Sequence, residues 1–191
     1  MPESCGAATT ILRKEHDAIL QMLDVSDALA QRLAAGTPVE PERLTEMLDF
    51  FQTFADRCHH GKEEDLLFPL LERKGLLRAG GPVGVMLDEH EQGRALVQRM
   101  TEAAQRYGNR EATAGQRYAE ASRRYAALLR QHIDKENQIL FLLADRLLTP
   151  EEQAGLVEAF ERVEVEKLGA GTHERLHALM QRLTSSLLPC G

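Results

Sequence analysis

Apolar residues recur at three- and four-residue spacing along most of the chain, and the breaks in that rhythm divide it into six helical stretches. Ile11, Leu12, Ile19, Leu20, Leu23, Leu29 and Leu33 predict a helix over 7–35 that ends at Gly36-Thr37-Pro38. Pro41 suits the first turn of a second helix, predicted to reach Lys74 through Leu44, Met47, Leu48, Phe51, Phe54, Ala55, Leu66, Leu67 and Leu70. Pro69 predicts a kink in it, since proline donates no backbone hydrogen bond and its ring crowds the carbonyl four residues back. A glycine-rich loop over 75–82 leads to a third helix, 83–107, with Val85, Met86, His90, Val97 and Met100 expected to face inward. The polar stretch 108–115 separates it from a fourth, 116–148. Thr149-Pro150-Glu151-Glu152 spells a capping box with proline in the first turn, so a shorter helix starts there and runs to Lys167. After Gly169-Ala170-Gly171, Thr172 can cap a last helix over 173–187. The expectation is an all-α fold: an up-down-up-down four-helix bundle over 7–148, and two shorter helices forming a C-terminal extension over 149–191 packed on it.

Composition agrees. Only 5% of the 191 residues are aromatic and tryptophan is absent, as in helix-rich chains, and the length suffices for a core without disulfides. A formal charge of −7 argues against a nucleic-acid partner, which needs clustered Lys and Arg. No run of about 18 uncharged apolar residues could span a bilayer and the N-terminus lacks a basic-then-apolar leader, so no membrane partner and a cytoplasmic location are expected. Cys5, Cys58 and Cys190 are odd in number and widely spaced, which reads as reduced thiols, with Cys58 in a packing role.

One stretch is written twice. His59, Lys62, Glu63, Leu67 and Phe68 reappear 73 positions later as His132, Lys135, Glu136, Leu140 and Phe141, giving the pattern H-x-x-K-E-x-x-[IL]-L-F. Glu15-His16 likewise reappears as Glu89-His90, 74 positions on. On a helix, positions i and i+4 share a face, so His59 with Glu63, and His132 with Glu136, each present an imidazole beside a carboxylate. His16 lies inside the apolar stripe of its helix, and a lone histidine there would ordinarily be a core residue; three more at matched places shift the reading. His60 and Glu64 fall outside the repeat and lie about 100° round the helix from their neighbours, so they are expected to support the site from behind or face solvent.

Four imidazoles and two carboxylates converging on one layer of a core would be costly if left uncompensated, and metal ions remove the conflict. Two divalent ions with a bridging hydroxide would leave the cluster with a single positive charge. Mixed nitrogen and oxygen donors suit iron, manganese or zinc and disfavour calcium or magnesium. The order His, His-x-x-x-Glu, His, His-x-x-x-Glu with its KExxLLF context resembles the bacterial hemerythrin-like (HHE cation-binding) family over Ile11–Leu148. That resemblance implies a non-haem di-iron centre with a bridging oxo or hydroxo group, His16, His59, His90 and His132 as terminal ligands, Glu63 and Glu136 as bridges, and binding of dioxygen or related oxidants. The oxygen-carrying members have HxxxH on the third helix, whereas Arg94 stands four beyond His90 here. Six ligands then remain, which favours a sensing or reactive centre over reversible carriage.

Other residues carry less. Tyr125, two turns before His132, is expected in the core near the metals. His173 and His177 have metal-ligand spacing without matching partners, and Glu158, Glu161, Glu164 and Glu166 read as solvated charges. No nucleophile–base pair, phosphate loop or nucleotide fingerprint is present, so any enzymatic activity is expected to be oxidoreductase chemistry on peroxide or nitric oxide. The competing readings are an iron-sensing or storage module that reports through the C-terminal helices, and a purely structural metal site.

Overall fold

In the computed structural model the described residues are 6–168 and 171–187, without the side chains at 167–168, 172–173 and 186–187. Cys5, Cys190, the break at Gly169-Ala170, and the side chains of Thr172 and His173 lie outside the described residues. Every described element is helical. α1 spans Ala7–Ala34; a second long run consists of α2 (Pro41–Phe50), π-helical segments Phe51–His60 and Glu63–Leu67, and α3 (Phe68–Arg73). α4 spans Pro82–Gly108, and a fourth run joins α5 (Ala114–Lys135), a π-helical Glu136–Leu140 and α6 (Phe141–Leu147). α7 (Pro150–Val163), a π-helical Glu164–Leu168 and α8 (Thr172–Leu187) complete the chain.

The ends follow local chemistry. α1 stops where Gly36 takes φ +70°, with Gly36 N–H donating to Leu33 and Thr37 N–H to Arg32, the pairing that satisfies the last carbonyls of a helix. The Thr149 hydroxyl accepts from Glu152 N at 3.3 Å while the Glu152 carboxylate accepts from Thr149 N at 2.9 Å, so the capping box is formed.

Two expectations need correction. The stretches 41–74 and 116–148 are not uninterrupted α-helix: each contains a π-helical segment starting at the glutamate of the repeated motif, Glu63 or Glu136. Pro69 does not explain them, because the second copy has Leu142 at the equivalent place. Val85 does not face inward but is 46% exposed, since the buried stripe runs Met86, His90, Gly93, Val97, Met100 and Val85 stands about 100° off it.

Two apolar clusters sandwich a polar layer. Along α1 Leu12 belongs to one cluster and Ile19 to the other, with His16 between them. The order is reversed in the second run (Ala55, His59 and Glu63, Leu67), restored in α4 (Met86, His90, Leu96), and reversed again from Leu129 through His132 and Glu136 to Leu140. α7 adds Leu156 and Phe160 to one cluster, and α8 adds Leu176, Leu179 and Leu183 to the other. Among the described residues no helix is long and apolar enough to cross a membrane.

Candidate metal centre

The polar layer brings together all six residues singled out by the repeat. His16, His59, Glu63, His90, His132 and Glu136 are buried side by side, each from the element the spacing assigned. Glu136 Oε2 lies 3.2 Å from His16 Nε2 and 3.3 Å from His132 Nε2. Glu63 reaches His59 Nε2 with one oxygen and His90 Nε2 with the other, both at 3.5 Å. Each carboxylate therefore spans two histidines that come from different helices.

A seventh side chain joins them. His60 is 3% exposed and stacks on His90 with ring centroids 3.8 Å apart. Its expected place behind the site or in solvent is thus corrected: in a π-helical segment the rotation per residue is smaller than in an α-helix, so neighbours 59 and 60 can both turn inward. The donors form two groups whose atoms lie within 4.8 Å of one another: His16, His59, Glu63 and Glu136, and His60, Glu63, His90 and His132. Glu63 is common to both.

Each imidazole is held from behind through Nδ1. His59 donates to Glu15 at 2.8 Å, His132 to Glu89 at 3.0 Å, His90 to Glu64 at 2.7 Å, His16 to the Asn137 amide oxygen at 3.0 Å, and His60 faces Asp56 at 3.4 Å. With Nδ1–H committed outward, the Nε2 lone pairs point into the layer, the tautomer in which histidine binds a metal. Lys62 bonds Glu15 and Lys135 bonds Glu89, so the E-H and K-E pairs of the repeat work across helices as matched supports. The signal for these supports is the repetition of Glu15 as Glu89 and of Lys62 as Lys135 along the chain.

Charge is strained in this layer. Burial holds His59, His60 and His90 below their ordinary pKa, helped at His59 by His16 and at His60 by His90. Burial works the same way on His132, but the Glu136 and Glu89 carboxylates outweigh it and lift it to about 9. Burial and the neighbouring Glu136 push Glu63 well up, whereas His132 and His16 hold Glu136 down against its own burial. Nε2 of His16 and His59 and all four oxygens of Glu63 and Glu136 have no hydrogen bond of normal geometry. Each such buried atom costs on the order of 1–3 kcal/mol unless something else satisfies it. Lys62, Arg94 and Lys135 are already paired with Glu15, Asp56, Glu64, Glu89, Glu91 and Glu164, so the buried Glu63 and Glu136 carboxylates have no cation of their own and divalent ions would supply one. The donor set fits a metal pair.

The sequence pattern of the hemerythrin HHE cation binding domain matches residues 7–144. The chain belongs to this hemerythrin family. Comparisons with curated proteins and with solved structures found no match. Membership implies metal binding, and the match ends at residue 144, before α7 begins.

Arg94, at the place where the third helix of oxygen-carrying hemerythrins has a second histidine, points to carboxylates instead: Asp56 at 2.9 Å, Glu64 at 2.5 Å and Glu91 at 2.6 Å. Beside it a cavity of about 240 Å³ runs from His60 past Phe51, Gly93, Val97 and Tyr125 to the exposed Gln98. Tyr125 is a core residue, its ring 4.7 Å from that of Phe51. Cys58 is a buried free thiol pushed up to about 12 by burial, hence unreactive. His177 is exposed. Glu164 departs from its reading as a solvated charge: its carboxylate lies 2.5 Å from Lys62 Nζ.

Proposed function

We propose that this hemerythrin-family chain holds two iron ions and binds, senses or reacts with a small oxidant, dioxygen, peroxide or nitric oxide. In this reading His16 and His59 would hold one ion and His60, His90 and His132 the other, with Glu63 and Glu136 available to both. The carrying observation is the set of four buried imidazoles with Nδ1 tied outward and Nε2 turned onto two unsatisfied carboxylates, with a fifth, His60, stacked against His90. Iron there, with an oxo or hydroxo bridge, supplies one-electron redox capacity and a coordination position for the oxidant. The family and the nitrogen and oxygen donors gathered in the layer favour iron; manganese and zinc satisfy the same donors.

The chain's own residues orient and dry the site. The two-histidine position has fewer protein donors, which leaves room for an added ligand, and the apolar cavity beside His60 offers a path sized for small neutral molecules. We read the four long runs, whose order across the two apolar clusters alternates, as an up-down-up-down bundle over 7–148, with 149–191 as an added unit.

The test is the absorption spectrum of iron-loaded, reduced protein before and after dioxygen, then after degassing. A coloured adduct lost on degassing means reversible binding, and a persistent diferric spectrum means reaction, to be followed with peroxide and nitric oxide. Failure to bind iron, or unchanged metal content in both His59→Ala and Glu63→Ala, would sink the proposal. Filling the cavity with Gly93→Leu should slow the response to oxidant several-fold at equal iron content.

A further inference from the structure

Lys62 and Lys135 hold the same place in the two copies of the motif, and each bonds the glutamate that steadies a histidine: Glu15 behind His59, Glu89 behind His132. Beyond that the copies diverge. The Lys135 side chain is 36% exposed, whereas that of Lys62 is completely buried. Lys62 Nζ also meets Glu164 Oε1 at 2.5 Å and lies 5.7 Å from the centre of the Phe160 ring. Glu164 and Phe160 both come from the C-terminal helices, outside the stretch that matches the family.

A buried ammonium needs its counter-charges, since removing one leaves an uncompensated charge in a low-dielectric setting. Burial opposes the charged form of Lys62, and the Glu15 and Glu164 carboxylates more than offset it. Among the described residues, Arg175 to Asp49, Arg182 to Glu46 and Gln21 to Thr184 also tie α8 to the rest of the chain, each an exposed contact of little worth. A cavity of about 440 Å³, lined by Ile11, Phe54, Cys58, Leu176 and Met180 along with Glu15 and Glu164, lies beside the contact. The extension packs on the bundle through Leu156, Phe160, Leu176, Leu179 and Leu183, and it reaches the supports of the histidines at the ion-paired Lys62.

Building on the di-metal reading, we propose that Glu164 is a positioning residue: through Lys62 and Glu15 it fixes the His59 imidazole and couples the C-terminal helices to metal occupancy at the His16/His59 position. Coupling of this kind is reciprocal, so what the extension adds to metal affinity the metal adds to docking of the extension. The second motif copy, whose lysine lacks a partner from the extension among the contacts described, provides the internal comparison.

The experiment uses the full chain as wild type, Glu164→Gln, and Glu161→Gln, an exposed charge-matched control on α7. Each is loaded with ferrous iron; release of iron to a chelator is followed, and amide exchange over 150–187 is compared with and without metal. Two iron equivalents on the wild type test the underlying reading by themselves. The proposal expects Glu164→Gln, equally helical by circular dichroism, to release one of the two equivalents about 10-fold faster than wild type or Glu161→Gln, the range set by outer supports of metal ligands. It also expects metal to slow exchange over 164–187 in the wild type and not in Glu164→Gln. Identical release from Glu164→Gln and wild type, or exchange in the extension indifferent to metal, would overturn the coupling while leaving the metal site intact.

Discussion

His60 and Ile133 occupy equivalent positions in the two motif copies, and this difference makes the two halves of the centre unequal. Three imidazoles gather on one side of the carboxylates and two on the other. Changing His60 to Ile, the residue the second copy carries, should lower bound iron from about two towards about one per chain, measured after desalting by elemental analysis. Removing a support rather than a ligand should do less: Glu89→Ala leaves His132 in place without its acceptor, and a fall of about 10–100-fold in iron affinity is expected in a competition titration. The i, i+4 rule found His59 with Glu63 and His132 with Glu136 because that argument is local. Glu15 and Glu164 escaped it because their partners are remote: Glu15 bonds His59, 44 residues on, and Glu164 bonds Lys62, 102 residues away.

At the scale of elements, the π-helical segment Phe51–His60 is the device that turns adjacent histidines to the same side. Deleting one residue in its outer part, such as the half-buried Gln52, would return the segment to α-helical register and rotate His59 or His60 out of the layer. Helix content by circular dichroism should change little, while one iron equivalent is lost; retention of two would show that the register of this segment does not matter. Helix ends were legible from caps and breakers such as Gly36 and Thr149, which act on their immediate neighbours. The π-helical segments were not, since nothing in the apolar rhythm distinguishes them at the resolution of a three- or four-residue spacing.

For the molecule as a whole, the buried layer makes metal-free stability depend on pH. His59, His60 and His90 have folded pKa values below their ordinary 6.5, so the unfolded chain takes up protons that the folded one resists. Their contribution is present above pH 6.5 and is lost as pH falls, at up to about 1.4 kcal/mol per pH unit for each group. Glu63, with its raised pKa, works the other way above 4.5, one group against three. His132, lifted to about 9, adds stability below 6.5 that disappears as pH rises through 9. Metal-free protein should therefore melt highest near neutral pH and lower at both pH 5 and pH 9.5 in a thermal scan. Iron should raise the neutral-pH midpoint in proportion to the logarithm of its free concentration. By itself, the sequence determined the all-helical character, the twofold motif and six polar side chains that the fold buries together, because each rests on spacing within one helix or on repetition along the chain. Only the tertiary structure decided that His60 stacks on His90, that His16, His59, His90 and His132 are each braced by a side chain from another helix, and that Glu164 reaches Lys62. These depend on how helices distant in sequence are rotated and packed against one another, which spacing along one chain does not encode.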